Sequence, residues 1–381
     1  MPVGLPSRAL PRLFLDSASA VPLRPTVIDA LRHALDLPSA DPGRNYAEGR
    51  IVRDAVEVAR EQIGASLKLA SSRVTFFSGI PEAVATALSS IHQRRHGATV
   101  LSAVERDSFH QHAAALGEVT TVPVNDVGLV DLGAVERALA TNPAVLCCQW
   151  ANQETGIIQP IGAIVAMAKA ASVPLVIDAT QAGRLAPEPW IADVYVMISS
   201  EGLGGPAGIT ALTVPRGSVL RPLLFGGAQE RGRRAGLEPT LLAVGFGAAA
   251  LDNAAHRSTE ATELRLLLDQ LIAKATAVEG VRVIGPTLST SRLPDLVSLE
   301  VDGVASEAIV VGLDRRGVAV HSGSACSSET FEPSPVLAAM GSDAQHSVRL
   351  SVSWATPWTC VEDFDRAFSE TVRDLRSLAK G

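Results

Sequence analysis

The chain has 381 residues, 47% of them hydrophobic, and a formal net charge of −7. That length carries one large domain with a substantial core and a smaller one, and the acidic balance argues against general nucleic-acid binding, which needs a basic surface. No apolar run is long enough to suggest a membrane span, residues 1–12 lack the apolar stretch of a signal peptide, and four cysteines without CxxC spacing suit a reducing cytoplasm better than a disulfide framework or a zinc site.

From about residue 50 to 215, apolar runs of strand length alternate with helical patterns. The spacing predicts helices over Ile51–Leu67, Glu82–His92, Ser108–Leu116, Leu132–Ala140 and Ile161–Ala171. It predicts strands over Arg73–Phe77, Thr99–Ser102, Glu118–Pro123, Ala144–Gln149, Leu175–Asp178, Val194–Ile198 and Thr210–Val214. This alternation reads as an α/β domain whose mainly parallel sheet is covered on both faces. A long helical stretch, Leu241 to Val278, then leads into a second set of short elements. These are strands at Val281–Ile284, Leu296–Val301 and Val318–His321, and helices near Ser306–Arg316 and from Val361 to about Leu378. The expected division is 13–255 for a large domain and 256–381 for a small C-terminal α/β domain, with segment 1–20 packing on the latter.

Ligands of such sheets bind beyond the carboxyl ends of the strands. The informative residues, at 78–82, 102–106, 152–156, 178–181 and 199–202, all follow expected strand ends. One strand ends in Asp178-Ala179-Thr180-Gln181; a later one ends in Ser199-Ser200-Glu201-Gly202-Leu203-Gly204-Gly205-Pro206. An Asp on one strand end and a Ser/Gly turn on another is how an enzyme using pyridoxal phosphate (PLP) presents a carboxylate to the pyridine nitrogen and a lysine to the aldehyde. The Asp is here and the lysine is not.

Six motifs in order carry a family resemblance. They are Leu15-Asp16-Ser17-Ala18-Ser19-Ala20-Val21-Pro22, Phe77-Ser78-Gly79-Ile80-Pro81-Glu82-Ala83, the stretch Asn152 to Ile161, Asp178-Ala179-Thr180-Gln181, the stretch Gly226 to Leu237, and Ser322-Gly323-Ser324-Ala325-Cys326-Ser327-Ser328. With them the chain resembles the cysteine desulfurases of the class V aminotransferase group, from about Leu13 to Phe368. The resemblance implies PLP fold type I: a large domain with a mainly parallel seven-stranded sheet, plus a small C-terminal α/β domain. It implies that Asp178 would keep the pyridine nitrogen protonated, that Gln181 would touch the ring oxygen, and that Ser199 and Gly79 belong to the cofactor site. Arg349 would grip the substrate carboxylate with its guanidinium fork, beside Gln153. Cys326 would be the persulfide carrier, on a small-residue loop that suits a thiolate nucleophile. A homodimer and a sulfur-acceptor or iron–sulfur assembly partner are implied too, with no metal site in the chain itself.

The family pattern fails at the cofactor. Where it reads SGHK, this chain has Ser199-Ser200-Glu201-Gly202, so Gly202 holds the lysine position and Glu201 the histidine before it. Only Lys68, Lys169, Lys274 and Lys380 are lysines, and none follows a strand end of the large domain. Pro81 stands where a Thr offers the phosphate an N–H and a hydroxyl, and proline has neither. Arg106 replaces the ring-stacking His, Gln153 the second Asn of an NN pair, and Leu237 a Thr that reaches the neighbouring subunit's phosphate. The chain is therefore expected to bind PLP weakly or not at all, and to be a cytoplasmic, non-catalytic dimeric scaffold or regulator connected with sulfur metabolism. Two other readings stand beside it: a sulfur-transfer protein or desulfurase that uses Cys326 with untethered PLP or a partner, and a different enzyme that uses a cleft of Arg106, Glu201 and Arg349.

Overall fold

The computed structural model describes residues 12–286, 291–322 and 334–379. Twelve strands are named in chain order: β1 Leu13–Phe14, β2 Val74–Phe77, β3 Thr99–Ser102, β4 Val119–Val122, β5 Val145–Gln149, β6 Leu175–Asp178, β7 Tyr195–Ser199, β8 Thr210–Thr213, β9 Val281–Val283, β10 Leu296–Val301, β11 Val318–Ala319 and β12 Ser347–Ser351. The large sheet has the order β2-β8-β7-β6-β5-β3-β4. Its strands run parallel except β8, which is antiparallel to both β2 and β7. Strands β5, β6 and β7 are buried along their whole length. That is why they read in sequence as unbroken Val/Ile/Leu/Cys runs rather than as alternation.

The two faces of this sheet bury separate sets of side chains. One face packs Val100, Leu146, Ile177, Val196 and Ile198 with helix Ala47–Ser66 and the start of helix Thr240–Thr276. The other packs Leu101, Val145, Cys147, Val176 and Met197 with helix Ile80–His92. A smaller antiparallel sheet, β12-β10-β9, and a short parallel pair, β1 with β11, lie around a further core that includes Phe364 and Phe368 of helix Cys360–Leu378.

Helix Thr240–Thr276 is 37 residues long. Position 255, the expected domain boundary, falls within it. Its N-terminal half contributes Ala243, Phe246, Ala249 and Ala250 to the large core, and its C-terminal half contributes Leu264, Leu267, Leu268 and Leu271 to the small one. Helix Pro25–Ala34 lies outside the expected elements, because only Val27 and Ala34 of its ten residues are buried and the apolar pattern is thin.

Arg24, just before that helix, is buried. It donates to the Leu203 carbonyl at 2.9 Å, to Asp252 at 2.9 Å, and to Glu260 at 2.7 and 2.8 Å. The N-terminal segment, the long helix and the turn after β7 are thereby tied at one point. Among the described residues no helix is long and apolar enough to cross a membrane.

Candidate functional site

The carboxyl ends of β5, β6 and β7 open onto a cleft of about 250 Å³, closed on its far side by Ser17 to Val21 and by Leu296 at the start of β10. Arg106, Gln153, Gln181, Ser199, Glu201, Gly202 and Arg349 all line it. Asp178 is buried directly behind Arg106. Gly79 does not line the cleft; it caps helix Ile80–His92, and the next side chain, Ile80, lines the cleft instead. Cys326 lies outside the described residues.

Asp178 ends β6, and both its oxygens are engaged. Oδ1 accepts from the Thr180 amide at 2.8 Å and the Thr180 hydroxyl at 2.6 Å. Oδ2 accepts from Arg106 Nε at 2.9 Å, and Arg106 also donates to the Thr180 hydroxyl at 2.9 Å. The carboxylate therefore already holds a cation, supplied by the chain itself. Beside it lies Glu105, fully buried, with Oε2 lacking a hydrogen-bond partner. Burial, and next the Asp178 charge, push its carboxyl up to about 8.

Arg349, on β12, is buried as well. It donates to the Gln153 carbonyl at 3.0 Å, to Asp16 at 2.7 Å and to the Ser19 hydroxyl at 2.7 Å, leaving its Nε without an acceptor. Asp16 reaches it because β1 pairs with β11 and the chain then bridges from Asp16 to Ser351. In the sequence Asp16 is visible as part of a motif; its role as the partner of Arg349 requires two segments more than 300 residues apart to meet.

The turn after β7 is packed around its glycines. A Cβ added at Gly202 would stand 2.6 Å from the Thr180 carbonyl oxygen and 3.1 Å from Ser199 Oγ. Gly204 has φ +79°, left-handed backbone that suits glycine, and a Cβ there would meet the Arg24 side chain at 2.9 Å. Position 202 is thus crowded by neighbouring backbone, which would have to shift to admit a side chain. Glu201 lies in this turn, and burial raises its carboxyl above the ordinary range, opposed by the Ser199 hydroxyl and the Arg106 charge.

At the start of helix Ile80–His92, Glu82 accepts from the Ser78 amide and hydroxyl, both at 2.7 Å, and from Arg234 Nε at 3.1 Å. Burial works against its charge, but the Ser78 hydrogen bonds and Arg234 hold the carboxyl below its ordinary range. A carboxylate thus sits at the helix N-terminus, where a phosphate would otherwise be favoured. Pro81 in the same turn has no N–H to offer.

PLP requires a lysine, a free carboxylate for the pyridinium and a phosphate cradle, and the residues present do not fit it. Gly202 is crowded by the Thr180 carbonyl, Asp178 is paired with Arg106, and Pro81 withholds an N–H from the start of its helix. The described lysines do not replace the missing one: Lys169 pairs with Asp193, Lys274 with Asp365, and neither these nor Lys68 lines the cleft. Cys147, Cys148 and Cys360 are buried. Burial raises all three thiols, the first two well above the ordinary value and Cys360 to about 11. Among the described residues there is no cluster of His, Cys, Asp and Glu that could hold a metal ion.

Comparison with known proteins agrees with the architecture. The family profile described as Aminotransferase class-V matches residues 13–364. A cysteine desulfurase of a Nostoc strain is 33% identical over 384 aligned residues, covering 96% of this chain and 94% of its own. A cysteine desulfurase of Archaeoglobus fulgidus is 32% identical and covers 96% and 98%. The solved structure of a NifS-like protein from Rickettsia africae superposes with a TM-score of 0.86 at 26% identity, covering 95% of this chain and 99% of that one. The mostly parallel large sheet with a small C-terminal unit is the PLP fold type I architecture of these proteins.

Proposed function

We propose, since the chain belongs to the aminotransferase class-V family and has cysteine desulfurases as relatives, that it is a cysteine desulfurase-like protein without conventional PLP-dependent desulfuration. Members of that family use PLP; this chain keeps the frame and acts as a non-catalytic dimeric scaffold or regulator connected with sulfur metabolism. The observation that carries this reading is position 202. The residue that would tether the aldehyde is glycine, and a Cβ there would stand 2.6 Å from the Thr180 carbonyl oxygen. A lysine placed there by mutation would have to displace that carbonyl.

The dimeric part of the reading is supported by the surface between β8 and the long helix. Leu224, Phe225 and Leu237 are 61%, 89% and 60% exposed there. Large apolar side chains left this exposed suit a contact surface, and a second copy is the occupant the family dimer supplies.

The test uses the full chain incubated with PLP, dialysed, and assayed for visible absorbance, for sulfide release from cysteine, and for mass by sedimentation. The expected result is no retained chromophore, no sulfide above the protein-free background, and a dimer. Sulfide release at the rates of its relatives, or a stable chromophore, would overturn the non-catalytic reading.

A further inference from the structure

The end of the large sheet opposite the cleft carries a second cavity. Helix Ile80–His92 covers one face of the sheet and helix Ile161–Ala170 the other. Where their last turns part, at the starts of β6 and β7, a groove of about 440 Å³ is left. That volume exceeds the cleft's and lies within the roughly 300–1,000 Å³ of small-molecule sites. The walls are apolar: Ile91, Val165, Val173, Leu175 and Val194 line it, and all five are buried. The rim is basic, in a chain whose net charge is −7. Arg94, Arg95 and Lys169 stand there with one carboxylate among the described residues, Asp193.

Asp193 is already shared. It pairs with Lys169 at 3.4 Å. It also offsets the burial that lowers the Arg73 guanidinium, while the neighbouring Arg216 charge adds to that burial. Arg94 and Arg95 have no carboxylate partner among the described residues. Arg95 is clamped by three neutral acceptors, the Pro143 carbonyl at 2.8 Å, the Ser172 carbonyl at 3.0 Å and the Asn142 side chain. These fix its guanidinium and leave its charge uncompensated. Arg94 is exposed and spends only Nε, on the Ser90 carbonyl at 3.2 Å, so both its Nη groups are left to donate. A guanidinium fork suits a carboxylate. We propose that this groove binds a small amphipathic acid, with an aliphatic body on the apolar walls and one carboxylate at Arg94 in the field of Arg95. A wholly polar anion would leave the walls without a partner, and a neutral chain would leave the two arginine charges without one. The site goes beyond the non-catalytic reading and does not depend on it.

The experiment is calorimetric titration of the full chain with sodium octanoate, and in separate runs with sodium acetate and n-octanol, at low salt because exposed charges are screened. Octanoate is expected to bind at least tenfold more tightly than either of the others, acetate lacking the body and octanol the charge. Arg94→Glu, a change at an exposed side chain, should weaken octanoate at least tenfold. Lys169→Glu, on the same rim, should weaken it at least threefold, and it decides the matter if Arg94→Glu fails to fold; circular dichroism checks both. No binding of octanoate, or octanol or acetate bound as tightly as octanoate, overturns the proposal. So does unchanged affinity in Arg94→Glu, or in Lys169→Glu where that variant has to stand in. None of these results bears on whether PLP is retained at the opposite end of the sheet, so the two readings fail separately.

Discussion

Placing a lysine at position 202 is the sharpest perturbation the structure suggests. In Gly202→Lys the new Cβ would stand 2.6 Å from the Thr180 carbonyl oxygen, closer than ordinary contact of about 3.5 Å by about 0.9 Å. Neither side can retreat freely. Thr180 is held by two hydrogen bonds to Asp178, and the next residue of the turn, Leu203, is held by Arg24 at 2.9 Å. Overpacking of a fixed site costs about 1–3 kcal/mol. For a chain of 381 residues the entropy of unfolding is about 0.8 kcal/mol/K, so the melting temperature should fall by about 1–4 °C. Gly202→Ala carries the same Cβ and should lose nearly as much, which separates the clash from any effect of the lysine's charge. Differential scanning calorimetry of the two variants, followed by PLP addition, is the assay. A Gly202→Lys protein as stable as the parent would refute the steric account, and one that takes up PLP with a stable visible band would refute the account of the phosphate cradle.

Three further outcomes are expected. Arg106→Ala leaves the buried Asp178 carboxylate without its cation and should cost about 3 kcal/mol in urea denaturation; a loss near zero would mean the pair is solvated in solution. Glu105 keeps its proton in the fold up to about pH 8 while the unfolded chain gives it up near pH 4.3. Between those values the unfolded state binds fewer protons, so stability falls as pH rises, by at most about 1.4 kcal/mol per pH unit. Glu105→Gln should flatten that decline between pH 5 and 8, and an unchanged slope would show that Glu105 is ionised in the fold. Native protein treated with iodoacetamide at pH 7.5 should leave Cys147, Cys148 and Cys360 unmodified by mass spectrometry and alkylate them in urea, because all three are buried with raised thiols; rapid native labelling at any of them would contradict the packing.

The sequence by itself determined the architecture. Fully buried strands announce themselves as unbroken apolar runs, so β3, β6 and β10 coincide with their expected spans and the other strands of the large sheet differ at their ends by a residue or so. It also indicated that Arg106, Gln153, Gln181 and Glu201 line one cleft, since they follow the ends of parallel strands and such ends converge by topology; Gly79 does not line that cleft, and Arg349 reaches it from the small antiparallel sheet. That the turn after β7 carries no lysine was legible as a single letter, Gly202.

What the tertiary structure alone decided is the charge state and the space of the cleft. Read in sequence, Arg106 and Arg349 are two cations available to an anion; in the fold each faces a carboxylate from another element, Asp178 on β6 and Asp16 after β1. Electrostatic pairing acts over a few ångströms between residues 72 and 333 positions apart, and no local pattern encodes it. The same holds for Gly202. In the sequence it is an absence, while in the fold it is a close contact, because the Thr180 carbonyl from a neighbouring strand end stands 2.6 Å from where a side chain would start.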